Sequence, residues 1–114
     1  MKIYLDKNLT EEIVASNLDL GIGLAGESHE YTFYVYNELH AELRDLNFKI
    51  KPQTSENISE ELAKKLAKEV KVLEAPSRMK YKEIAELKLQ WNPAVNVQSG
   101  LKAKVQVDYF ELWS

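Results

Sequence analysis

YTFYVYNELHAELRDLNFKI, residues 31–50, decides the fold. Thr32 to Tyr36 is an unbroken β-branched and aromatic run, which suits a pleated, half-buried surface. It stops at Asn37, and a second alternating run follows in which Leu46, Phe48 and Ile50 share a face. The grammar is strand, polar turn, strand. It returns at AELKLQWNP (85–93) and at GLKAKVQVDYFELW (100–113), which points to an all-β chain built as an antiparallel sandwich. Period-two alternation then selects the core: Leu20, Phe33, Val35, Leu46, Phe48, Leu87, Leu89, Trp91, Val105 and Val107.

Outward from that stretch the signals are shorter. Lys2 to Leu5 reads as a first strand, an edge kept from aggregating by its flanking lysines. Asn17 to Ile22 alternates again, with Leu18, Leu20 and Ile22 on one face, and Gly21, Gly23 and Gly26 punctuate a loop or bulge before the main strand. The one clear helix is 59–69, SEELAKKLAKE. Ser59 is its N-cap, Glu60 and Glu61 sit at the positive end of the dipole, and Ile58, Leu62 and Leu66 form a narrow apolar stripe. Val70 and Val72 begin a short strand, Met79 to Glu83 reads as a connecting loop, and Asn92-Pro93 stops the strand before it. In 101–113 the apolar phase moves from Val105 and Val107 to Phe110 and Leu112, which calls for a bulge near Asp108-Tyr109.

Composition bounds the function classes. The 114 residues suffice for a single domain, 1–114, with its own core. Cysteine is absent, so there is no disulfide framework, thiolate nucleophile or zinc-thiolate site. The stretch MKIYLDKNLTEEI holds no signal-peptide apolar run, and nothing approaches the roughly 18 apolar residues of a membrane span. Net charge is −3, which disfavours nonspecific nucleic-acid binding. The charge is uneven: residues 1–50 hold nine Asp/Glu against four Lys/Arg, and the remainder eleven Lys/Arg against nine Asp/Glu. An acidic half and a basic half could help subunits associate, although two solvated faces give the same pattern.

From Asn17 to Trp113 the layout resembles Ig-like accessory domains of two kinds. Leu18-Asp19-Leu20-Gly21 and Gly26-Glu27-Ser28 are similar to the opening motif of the abnormal-spindle/hydin type. Tyr36-Asn37, Leu43-Arg44-Asp45-Leu46 and Glu74-Ala75-Pro76 follow the order found in modules appended to bacterial glycosidases. The chain departs from both in the helix at 59–69 and in having Tyr81-Lys82-Glu83 where they carry a Pro-Gly-Glu turn. The resemblance implies an Ig-like antiparallel β-sandwich of about seven or eight strands with one short helix. It implies no catalytic residue and no cofactor. In general style the chain is also similar to accessory proteins on phage capsids and tails.

Few constellations carry chemistry. His29 and His40, the only histidines, fall in a loop and a turn without ligand spacing, and Glu11-Glu12 and Glu60-Glu61 read as helix-start acids rather than a glycosidase pair. A calcium ion near Asp6, Glu27 or Asp45 would need oxygens from separate loops. The aromatic residues are more telling. If Phe33 points inward, Tyr34 and Tyr36 point outward, unless the N-terminal segment or the helix covers them; Trp113 either plugs the core or anchors a partner. Tyr34, Tyr36, Tyr109 and Trp113 are therefore the candidate binding residues. The expected function is non-enzymatic and structural: a phage virion accessory subunit, in capsid decoration or tail, engaging a repeated protein surface. The alternative is a carbohydrate- or cell-surface-binding module. No metal or cofactor is expected, the partner is a protein or a second copy in an oligomer, nucleic acid and membrane are not, and the setting is virion or cytoplasm.

Overall fold

Alternating apolar residues form strands, and the strands pair into two antiparallel sheets facing each other. The computed structural model describes residues 1–14, 18–52 and 59–113. Its elements are β1 (Lys2–Tyr4), β2 (Glu12–Ile13), β3 (Leu18–Gly23), β4 (His29–Tyr36), β5 (Ala41–Pro52), α1 (Glu60–Glu69), β6 (Val70–Glu74), β7 (Arg78–Met79), β8 (Ile84–Trp91) and β9 (Val97–Trp113). One sheet runs β2-β1-β4-β8-β6 and the other β3-β9-β5-β7. Among the described residues the architecture is thus an all-β sandwich with one short helix, seven of the nine strands being longer than two residues. From β2 onward, every connection carries the chain from one sheet to the other.

The core follows the expected phase. Leu20, Phe33, Val35, Leu46, Phe48, Leu87, Leu89, Trp91 and Val105 are buried, and Val107 is half-buried against them. Burying each such side chain contributes about 1.5–3 kcal/mol. The sheets interdigitate at Trp91, whose ring lies against Gly23 of the opposite sheet so closely that a Cβ there would overlap it. The helix starts as expected, with the Ser59 hydroxyl accepting from the Leu62 N–H at 3.2 Å. It packs Ala63 and Leu66 into the core between β5 and β6. Ile58 of its expected stripe, and Asn17 of the expected third strand, lie outside the described residues.

Four local expectations are corrected. Ile22 does not join Leu18 and Leu20: Gly21 at φ +76° makes a bulge against β9, so Gly23 turns inward and Ile22 is exposed. Met79 is no loop residue but a fully buried member of β7, paired with Leu43. The first strand is not an edge, since β2 pairs on its outer side and β4 on its inner side. The fourth concerns β9. The register slips where expected, beside Asp108 and Tyr109, yet the extra residue belongs to β5, where Asp45 adopts φ +55°. Because β9 itself continues without a flip, Tyr109 stays turned toward the core while Phe110 and Leu112 face solvent.

Candidate functional site

The geometry of the candidate site begins with one buried polar residue. Asn37, at the end of β4, is the only buried polar side chain among the described residues. Its amide donates to the carbonyls of Ala41 at 2.9 Å and Lys80 at 3.0 Å, and its Oδ1 accepts from the Leu39 N–H at 3.0 Å. Its backbone joins the same knot, donating to Glu83 O and accepting from Lys82 N. An amide has two protons and two lone pairs, so this one side chain bonds to the β4–β5 turn and the β7–β8 turn at once. The second turn is closed further by Lys80 N–H donating to the Glu83 carboxylate at 3.2 Å, with Lys82 at φ +64°.

Those two turns carry His40 and Tyr81. Their rings lie 4.1 Å apart between centroids and tilted by 31°, and Lys82 Nζ stands 5.4 Å from the centre of the Tyr81 ring. The end of β9 completes the site, because Trp113 pairs with Ala41 and Leu112 with Glu42 in register. His40, Tyr81, Leu112 and Trp113 with Ala41, Glu42 and Lys80 line an open groove of about 450 Å³. Trp113 is 59% exposed and its indole N–H donates to Glu111 at 2.9 Å, so it is not a core plug. The Glu42 carboxylate is flanked by Arg44 at 3.3 Å and Arg78 at 3.5 Å. Such a groove can hold a flat ring or a pyrrolidine against aromatic faces, with one carboxylate and one ammonium at its rim.

The four candidate binding residues do not converge. Tyr34 and Tyr36 do point outward from the other sheet, half-buried, in register with Tyr4 and Ile84 respectively. The helix packs on β5 and β6 instead, whereas Lys7 and Asn8 of the N-terminal segment, with Tyr34, Ile84 and Glu86, line a smaller hollow of about 310 Å³. Tyr109 turns toward the core, and burial, then Glu111 and Glu38, push its hydroxyl above the ordinary value. Only Trp113 lines the groove. In the sequence His40 lacks ligand spacing and Tyr81 stands out only as a departure from a turn motif, so neither reads as a binding residue; the one usable signal is Asn37, a polar residue ending an apolar strand.

The titratable groups have structural partners. Asp6 accepts from the Thr10 hydroxyl and from the N–H groups of Glu11 and Thr10, which holds its carboxyl below the ordinary range. Glu27 is lowered by the Leu24 N–H and by His29, whose Nε2 lies 3.1 Å away. Asp45 forms the β5 bulge. Among the described residues, no group of three His, Asp or Glu side chains could hold a metal ion, and no hydroxyl is hydrogen-bonded to either histidine. No helix is long and apolar enough to cross a membrane. Comparison with known proteins found no matching family model, no matching curated protein and no matching solved structure.

Proposed function

We propose that this chain is a non-enzymatic binding protein, a virion accessory subunit of the capsid-decoration or tail kind, which engages a repeated protein surface through the outer end of β9. One observation carries the reading. β3 pairs with β9 only from Val97 to Ala103, so on that side Lys104 to Trp113 has no partner strand among the described residues. The same stretch exposes Phe110 at 72%, Leu112 at 50% and Trp113 at 59%. Unpaired backbone groups beside exposed large apolar side chains are the material of strand addition and of interface anchors. The two-sheet sandwich is in keeping with the Ig-like accessory domains that the sequence resembles.

The decisive experiment is localisation. Labelled chain, mixed with particles from the host that carries its gene, should decorate them at regular spacing, and Trp113→Ala should weaken that labelling at least tenfold without unfolding the chain. Labelling that survives Trp113→Ala but is lost in Tyr34→Ala with Tyr36→Ala moves the contact to the other sheet. No labelling at all ends the virion reading.

The groove supports a second reading, a carbohydrate-binding module. Tyr81 and Trp113 offer exposed ring faces beside Glu42 and Lys80, the pairing of stacking surface and polar rim that a sugar ring uses. A glycan array separates the two: saturable binding lost in Tyr81→Ala supports the sugar, and an empty array removes it.

A further inference from the structure

The outer face of the β5–β9 ribbon carries an arrangement that costs the fold stability. Lys51 and Lys104 stand directly opposite each other across the two strands. Lys102 lies two positions from Lys104 along β9, and Lys49 two from Lys51 along β5, all four exposed on one face. Opposed residues are about 5 Å apart and diagonal ones about 7 Å, so this is a block of four ammonium groups on a rigid surface. Lys49 reaches the Asp108 carboxylate at 3.8 Å. Lys51, Lys102 and Lys104 make no ion pair among the described residues; Asp19 stands opposite Lys102, but its Oδ1 accepts from the Gly21 N–H. Like charges directly opposite in a sheet repel, and all four lysines are exposed rather than part of the core.

We infer that this lysine block is a docking surface for a carboxylate-rich protein surface. It rests on the binding-protein reading and names the chemistry of the partner. Charge complementarity sets the sign: on a chain of net charge −3 a local cationic block selects for acid. The neighbouring residues set the class. Along the same face the block runs into Gln106, Asp108, then Phe110 and Leu112, the last two exposed and apolar. A phosphodiester backbone makes no use of an exposed apolar strip with the Asp108 carboxylate beside it, whereas a protein interface combines an apolar centre with charged flanks.

Stability and binding should therefore respond in opposite directions to one substitution. Lys104→Glu places a carboxylate opposite Lys51 and should raise the melting temperature by about 2–4 °C. The probe for binding is poly-L-glutamate at low ionic strength, followed by amide chemical-shift changes in the intact chain, with single-stranded and duplex DNA oligonucleotides run alongside. Wild type should shift at residues of β5 and β9 around Lys51 and Lys104, weaken steeply with added salt, and lose at least tenfold in affinity in Lys104→Glu. Lys51→Gln with Lys102→Gln, which removes charge without creating a pair, should weaken binding to a similar degree. Equal affinity in wild type and variants, or tighter binding to either DNA than to polyglutamate, overturns the inference. A particle-labelling defect in Trp113→Ala alongside unchanged labelling in Lys104→Glu would leave the binding reading intact and remove only this surface.

Discussion

Asn37→Ala should destabilise the chain by about 3 kcal/mol, and the magnitude follows from counting what is orphaned. The substitution removes the donor for Ala41 O and Lys80 O and the acceptor for Leu39 N–H. Each buried group left unsatisfied costs about 1–3 kcal/mol, and turn carbonyls near the surface recover part of that from water. For a chain of this size 3 kcal/mol is a loss of about 12 °C in melting temperature, against a total stability of about 5–15 kcal/mol. Asn37→Asp sharpens the test. It keeps the shape and the acceptor for Leu39, but turns carboxylate oxygens toward two carbonyl oxygens with no proton between them. Burial and those carbonyls raise the new group's pKa above its unfolded value of about 3.9, so its folded form takes up a proton first as pH falls. The deficit is then largest near neutral pH and shrinks on acidification, the reverse of an ordinary paired carboxylate. Urea unfolding of both variants between pH 7 and pH 4 measures this. A loss under 1 kcal/mol in Asn37→Ala, or a pH-independent loss in Asn37→Asp, would refute the account of Asn37 as the weld between the two turns.

Three further outcomes follow from named contacts. Gly23→Ala should lose about 1–3 kcal/mol by urea denaturation, since its Cβ would enter the Trp91 ring and both lie in facing sheets that cannot part freely. Asp6 is held below its ordinary value of about 3.9, so its contribution is complete above that pH and is lost as pH falls through the depressed value. Asp6→Asn should therefore lower stability at pH 6 and flatten the acid limb of the curve; an unchanged acid limb would show that other carboxylates govern it. Trp113→Ala should leave the melting temperature within about 0.5 kcal/mol equivalent, because the ring is mostly exposed. A larger loss would return Trp113 to the core.

The strands were legible because burial on one face imposes period two on the sequence, and nine of the ten expected core residues are buried. What failed was phase at irregular points. The glycines from Gly21 to Gly26 were legible as a loop or bulge, but not as one that turns Ile22 outward. In LRDLN the extra residue is Asp45, one of the few side chains at ease with positive φ, and no glycine announces it. The phase change at Phe110 and Leu112 was therefore charged to β9, when it records apolar side chains left in solvent. The groove was illegible for another reason. His40, Tyr81 and Trp113 come from three distant segments, and what unites them is a buried amide whose partners are backbone atoms, which leave no trace in residue identity.

The crossing of every link between sheets bears on how the nascent chain behaves during translation. β4 pairs with β1 on one side but waits for β8 on the other, and β3 has no partner strand among the described residues until β9 is made, with six elements between them. β5 has only the two-residue β7 for company until then. The ribosome thus releases about a hundred residues of alternating apolar sequence before the second sheet can close, which exposes unpaired strand edges for seconds. A chain of this topology depends during that interval on charged side chains along its strands, and the lysines of β5 are already in place to keep it apart from its neighbours on the same message.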